Sequence, residues 1–150
     1  MKRILVATDG SAPAQVAVGF GLELARQQNA AVVFVHVILG YDVVPAHAVG
    51  QNGARRRELT EADREPLQRA LAAAESSGVP ATTELLVGDP ADEIVAYADS
   101  VDVDAIVVGC RGHGRIASAV LGSVSQGVLR EARRPVVVVP RTCAANVTQP

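Results

Sequence analysis

Apolar residues along this chain come in short unbroken runs separated by stretches of helical spacing. Ile4-Leu5-Val6-Ala7 lies in the first run, which predicts a strand over residues 2–8, and Ala31 to Leu39 forms the second. Thr82 to Val87, Ala105 to Val108 and Val136 to Val139 supply three more. Runs of this length without polar alternation suit strands buried on both faces of a parallel sheet. Polar Thr82 and Glu84 alternate into the third run, which suits a sheet edge.

Helices are predicted between the runs. Ser11 is a cap for the first, Pro13 fits its opening turn, Val16, Phe20 and Leu24 recur along one face, and Asn29 is a stop signal. Thr60 with Asp63 marks the start of a second helix whose stripe is Leu67, Ala70, Leu71 and Ala74 and which ends at Gly78 and Pro80. Pro66 leaves two readings open there, a kink at that residue or a start near Glu65. Asp89 caps and Pro90 opens a third helix, with Ile94, Val95 and Ala98 inward. A fourth begins near Ser123 and carries Val124, Val128 and Leu129. Between the second run and the second helix, residues 40–53 dissolve into Pro, Gly, His and Asn and read as a long loop. Arg55-Arg56-Arg57 reads as a solvated face, because Glu58, Glu61, Asp63 and Glu65 follow at once. Alternating strands and helices imply an α/β fold, a five-stranded parallel sheet joined by right-handed crossovers.

Composition narrows the chemistry. At 150 residues the chain reads as one domain, residues 1–140, with a tail at 141–150. Hydrophobic residues make up 49% and aromatics 3%, so the core is aliphatic. A net charge of −2 gives no electrostatic reason to expect nucleic acid or an anionic membrane as partner. The sole lysine is Lys2, which removes lysine-dependent chemistry from the rest of the chain. Cys110 and Cys143 form neither a disulfide framework nor a zinc spacing, and no apolar stretch is long enough to span a bilayer. A cytoplasmic location is the expectation.

The distinctive stretch is Gly109-Cys110-Arg111-Gly112-His113-Gly114-Arg115, continuing to Gly122-Ser123-Val124-Ser125. It runs from a strand through glycines into a helix N-terminus. Glycines permit positive φ and close ligand approach, and a helix start offers unpaired N–H groups, so the stretch is a candidate phosphate site. It lacks the lysine of a P-loop and follows a late strand, unlike the dinucleotide fingerprint. A phospho-receiver domain is also excluded, since the clustered acids and the lysine it needs are missing.

Gly109, two residues, Gly112, nine residues, then Gly122-Ser123 resembles the nucleotide-binding motif of the universal stress protein family, in its ATP-binding branch. The likeness extends over residues 1–140: the opening from Lys2 to Ser11, His36-Val37, Gly88-Asp89-Pro90, Ser125 and the closing Pro135 to Val139 all match. The resemblance implies the Rossmann-like (HUP-type) sheet order 3-2-1-4-5 with helices on both faces. The crevice would then open between strands one and four, where the winding reverses. By the same resemblance Ala7, Thr8, Asp9 and Val37 face adenine and ribose. Gly109, Gly112, Gly122, Ser123, Val124 and Ser125 surround phosphates and ribose. Asp9 has two readings, contact with nucleotide or a bound Mg²⁺ and a turn before the helix. Arg111 and Arg115 could neutralise phosphate.

His36 reads as structural and His47 as a loop residue, while His113 has no nameable partner for catalysis. Cys110 reads as loop filler rather than a redox thiol. No catalytic residue is assigned, and any ATP hydrolysis is expected to be slow. The implied function is an ATP-binding regulatory dimer answering to a protein partner, paired through Val136 to Val139, an apolar edge that charge does not blunt. The alternatives are a slow nucleotide hydrolase or nucleotidyl-transfer enzyme, and a nucleotide-free interaction module.

Overall fold

In the computed structural model, which describes residues 1–39, 58–110 and 121–141, five strands and four helices alternate. In chain order they are β1 (Arg3–Ala7), α1 (Ala12–Gln28), β2 (Ala31–Leu39), α2 (Glu61–Ser77), β3 (Ala81–Gly88), α3 (Pro90–Ser100), β4 (Ala105–Gly109), α4 (Ser123–Glu131) and β5 (Val136–Val139). All pairings are parallel, and the order across the sheet is β3-β2-β1-β4-β5, as expected. The loop at 40–53, the Arg55–Arg57 run and residues 142–150 lie outside the described residues.

Local signals set the helix ends. Ser11 Oγ accepts the Ala14 N–H at 3.3 Å, and Asn29 closes α1 in the left-handed conformation. The Asp63 carboxylate accepts the Thr60 N–H at 2.7 Å, and Asp89 accepts the Asp92 N–H at 3.2 Å. Pro66 sits inside α2, which starts at Glu61 and continues past it.

Two aliphatic layers sandwich the sheet. Ile4, Val6, Val32, Phe34 and Val107 turn towards α1 and α2, whereas Leu5, Val33, Val35, Ile106 and Val108 turn towards α3 and α4. The stripe on α1 differs from the expected one. Its buried face is Ala14, Ala17, Val18, Gly21, Leu22 and Ala25, and Val16, Phe20 and Leu24 pack at its flank. Close approach to the sheet is the reason: a Cβ at Gly21 would stand 2.5 Å from Val6 Cγ2. On α4, Val128 is buried but Leu129 is exposed.

At the amino ends of the strands, the Asp104 carboxylate accepts the backbone N–H groups of Lys2 and Arg3 at 2.5 and 2.9 Å. Those bonds hold its carboxyl below the usual carboxylate range.

Candidate functional site

The crevice follows from where strands stop. β1 ends at Ala7, which pairs with Val35, while β2 continues to Leu39 and β4 to Gly109. Thr8 N–H donates to the Val35 carbonyl at 2.8 Å, so the odd-numbered residues of β2 turn their main-chain groups towards β1. Val37 is the next of these, and β1 has ended before reaching it. Its N–H and C=O therefore face the space beyond the strand, a donor and an acceptor side by side. Gly109 stands in the mirror position on β4, because Ile106 and Cys110 direct their N–H groups towards β5.

A cleft opens there, lined by Ala7, Thr8 and Asp9 from the first turn and by Ser11, Pro13 and Ala14 from the start of α1. Val35, His36 and Val37 of β2, Pro90 and Ile94 of α3, Val108 and Gly109 of β4, and Val124 and Ser125 of α4 complete it. Of the residues expected from the sequence, the cleft thus gathers Ala7, Thr8, Asp9, Val37, Gly109, Val124 and Ser125. Gly122 and Ser123 stand at the start of α4 but are not in the lining. Arg111 and Gly112 lie outside the described residues, as do His113 and Arg115.

Hydrogen bonds wire the first turn. Thr8 Oγ1 accepts the Gly10 N–H at 3.2 Å, and Asp9 Oδ1 accepts the Ser11 N–H at 2.9 Å. Asp9 therefore forms the turn and lines the cleft at once; the two readings of this residue are compatible. Gly10 has φ +79°, a backbone region that glycine occupies without strain.

The start of α4 differs from the other helix starts. Its cap is Gly122, which offers no side-chain oxygen, and the first helical bond runs from Gln126 N–H to the Gly122 carbonyl at 3.0 Å. The N–H groups of Ser123, Val124 and Ser125 precede that bond and have no helical acceptor. They carry the positive end of the helix dipole. By contrast, the Ser125 hydroxyl is buried and donates to the Gly109 carbonyl at 2.8 Å.

Two glycines have packing reasons of their own. A Cβ on Gly109 would lie 2.8 Å from the Pro13 carbonyl oxygen, so this residue lets α1 approach the sheet. A Cβ on Gly127 would lie 2.6 Å from Ala91 Cβ, so α4 packs closely on α3. That contact brings Pro90 and Ile94 beside Val124, an apolar wall not anticipated from the sequence. The signal was available in Asp89-Pro90, since a helix following β3 must start at the carboxyl end of the sheet.

The described residues contain no cluster of three or more His, Cys, Asp or Glu side chains able to hold a metal, and no helix long and apolar enough to cross a membrane.

A family model, the universal stress protein family, matches residues 1–140. A universal stress protein of Methanocaldococcus jannaschii is 34% identical over 140 residues, 93% of this chain and 82% of that protein. Among solved structures, one from Archaeoglobus fulgidus in complex with dAMP superposes with TM-score 0.71 at 30% identity, covering 93% of this chain and 98% of that one. A universal stress protein in complex with cAMP gives TM-score 0.71 at 26% identity, covering 94% and 98%.

Proposed function

The chain belongs to the universal stress protein family, and we propose that it is a cytoplasmic regulatory member that binds ATP in the crevice between β1 and β4 and works as a homodimer. The observation that carries this reading is the convergence of two chain segments on one crevice, the Ala7–Asp9 turn and the ends of the glycine stretch. Solved relatives that hold dAMP and cAMP support an adenine nucleotide as the ligand class.

The parts suit the parts of such a ligand. The Val37 N–H and C=O match the acceptor and donor on the adenine edge, between the apolar walls of Val35, Ile94 and Val124. The N–H groups of Ser123 and Val124, which have no helical acceptor, suit phosphate oxygens, and the motif resemblance assigns Arg111 and Gly112 to the same phosphate. Asp9 is the acid at the cleft, and a Mg²⁺ ion accompanying ATP would use it. The nucleotide acts as a ligand that sets conformation and partner choice, and hydrolysis is slow. Dimer formation uses the open edge of β5, where Val136, Val137 and Val138 are only half-buried.

Denaturing the purified protein and identifying the released nucleotide tests the reading, followed by titration of ATP against wild type and Gly122→Val. Gly122 has φ −62° and ψ 160°, a backbone conformation open to valine, and a thermal melt of the variant separates a lost site from a lost fold. Tight ATP binding lost in the variant is the expected result. No released nucleotide and no binding would leave an interaction module. Steady turnover lost in Asp9→Ala with binding retained would instead make the protein an enzyme.

A further inference from the structure

We propose that Arg69, on α2, is a positioning residue for the nucleotide cleft, acting through the Gly10–Ser11 peptide on the Asp9 carboxylate; the proposal rests on the nucleotide reading above. Arg69 is 59 residues from Gly10 in sequence, yet its Nη1 donates to the Gly10 carbonyl at 3.3 Å. Gln15 Nε2 donates to the same oxygen, also at 3.3 Å. Both acceptor positions of that carbonyl are thereby taken. A peptide unit is planar, so the direction of the Gly10 carbonyl fixes the direction of the Ser11 N–H. That N–H is the donor that Asp9 Oδ1 accepts at 2.9 Å, and Asp9 lines the cleft.

Arg69 is itself aimed. Its Nη2 meets both oxygens of Glu65, one turn earlier on α2, at 2.7 Å each, and its Nε meets Oε1 at 3.1 Å. Both partners are about half exposed, so the pair adds little to stability on its own. Its effect is to hold the fork so that Nη1 faces Gly10. Pro66 closes the turn from the same side: a Cβ on Gly10 would lie 3.1 Å from Pro66 Cγ. A proline inside a helix removes a backbone donor, and here the buried ring lies on the turn that holds Asp9. Helix α2 is thus the outer wall of the nucleotide-binding turn.

The test compares wild type with Arg69→Met, which keeps an apolar stem and removes the donors, and Arg69→Lys, which restores one. Amide resonances of Gly10 and Ser11 are recorded in ligand-free protein, ATP affinity by calorimetry, and the thermal midpoint in parallel. Arg69→Met is expected to shift both amides and weaken ATP binding about threefold to tenfold, the worth of one hydrogen bond. The midpoint should stay within about 2 °C, as for an exposed pair, and Arg69→Lys should recover part of the affinity. Unmoved amides, or unchanged affinity, would overturn the proposal. Wild type failing to bind ATP would overturn the nucleotide reading and this role with it, whereas the amide shifts would still report whether Arg69 sets the turn.

Discussion

The Ser125 hydroxyl donates a 2.8 Å hydrogen bond to the Gly109 carbonyl, and this one bond joins the two ends of segment 110–122. Gly109 is the last residue of β4, and its carbonyl turns to the side that β1 no longer covers. Ser125, in the first turn of α4, is 1% exposed. Ser125→Ala should therefore lower stability by about 1 kcal/mol in urea unfolding and weaken ATP binding, because the helix start loses its tie to the strand. Ser123→Ala, at an exposed position, should change stability by less than about 0.5 kcal/mol. Equal effects of the two variants on stability would show that the buried bond has no special role.

Glycines in α1 separate two effects that composition merges. A Cβ at Gly21 would stand 2.5 Å from Val6 Cγ2, and Val6 is fully buried with a stiff branched side chain. Gly21→Ala should cost about 1–3 kcal/mol by overpacking, even after the helical preference of alanine is counted. Nothing lies within 4 Å of a Cβ at Gly19. Gly19→Ala should stabilise by up to about 1 kcal/mol. Thermal melts of the two variants moving in opposite directions would bear this out; a shared direction would refute it.

That contrast also explains what the sequence could reveal. Caps are local chemistry, so Ser11, Asn29 and Asp89-Pro90 were readable in place, as were the aliphatic runs that became strands. The buried face of α1 was not. Ala17, Gly21 and Ala25 look neutral in a hydrophobic pattern, and only the distance of the helix from Val6 makes their small size matter. Pro66 was undecidable for the same reason, since the turn at Gly10 that it covers lies 56 residues away along the chain. The strand order came from resemblance and not from periodicity. At the site, the segments were legible as motifs. The commitment of the Ser125 hydroxyl and the Asp9 Oδ1 to their own backbone, and the wall formed by Pro90 and Ile94, depend on contacts that no spacing encodes.

Acid stability should depend on Asp104. Backbone N–H groups of Arg3 and then Lys2 favour its charged form and lower its pKa in the folded chain. A lowered folded value means that the contribution is present above the unfolded pKa and fades as pH falls through the folded one. Wild type should thus lose stability on acidification below about pH 4, the ordinary aspartate value, and Asp104→Asn should show a flatter profile across that window. Denaturant midpoints from pH 2 to pH 6 decide the point. Parallel profiles for the two proteins would exclude Asp104 as a contributor.

The outer edge of β5, which pairs with no further strand among the described residues, permits a test of the proposed dimer that leaves the internal sheet intact. The carbonyls of Pro135 and Val139 accept the N–H groups of Ile106 in β4 and of Cys110 just after it. By alternation Val137 faces β4 as well, and Val136 and Val138 turn their N–H and C=O groups outward. Val138→Pro removes one outward donor and no bond to β4, a position where edge strands tolerate proline. Wild type is expected to sediment as a dimer at micromolar concentration, and Val138→Pro as a folded monomer with an unchanged circular dichroism spectrum. A dimer that survives the substitution would mean that the copies meet elsewhere, because strand pairing across this edge needs the amide that proline lacks.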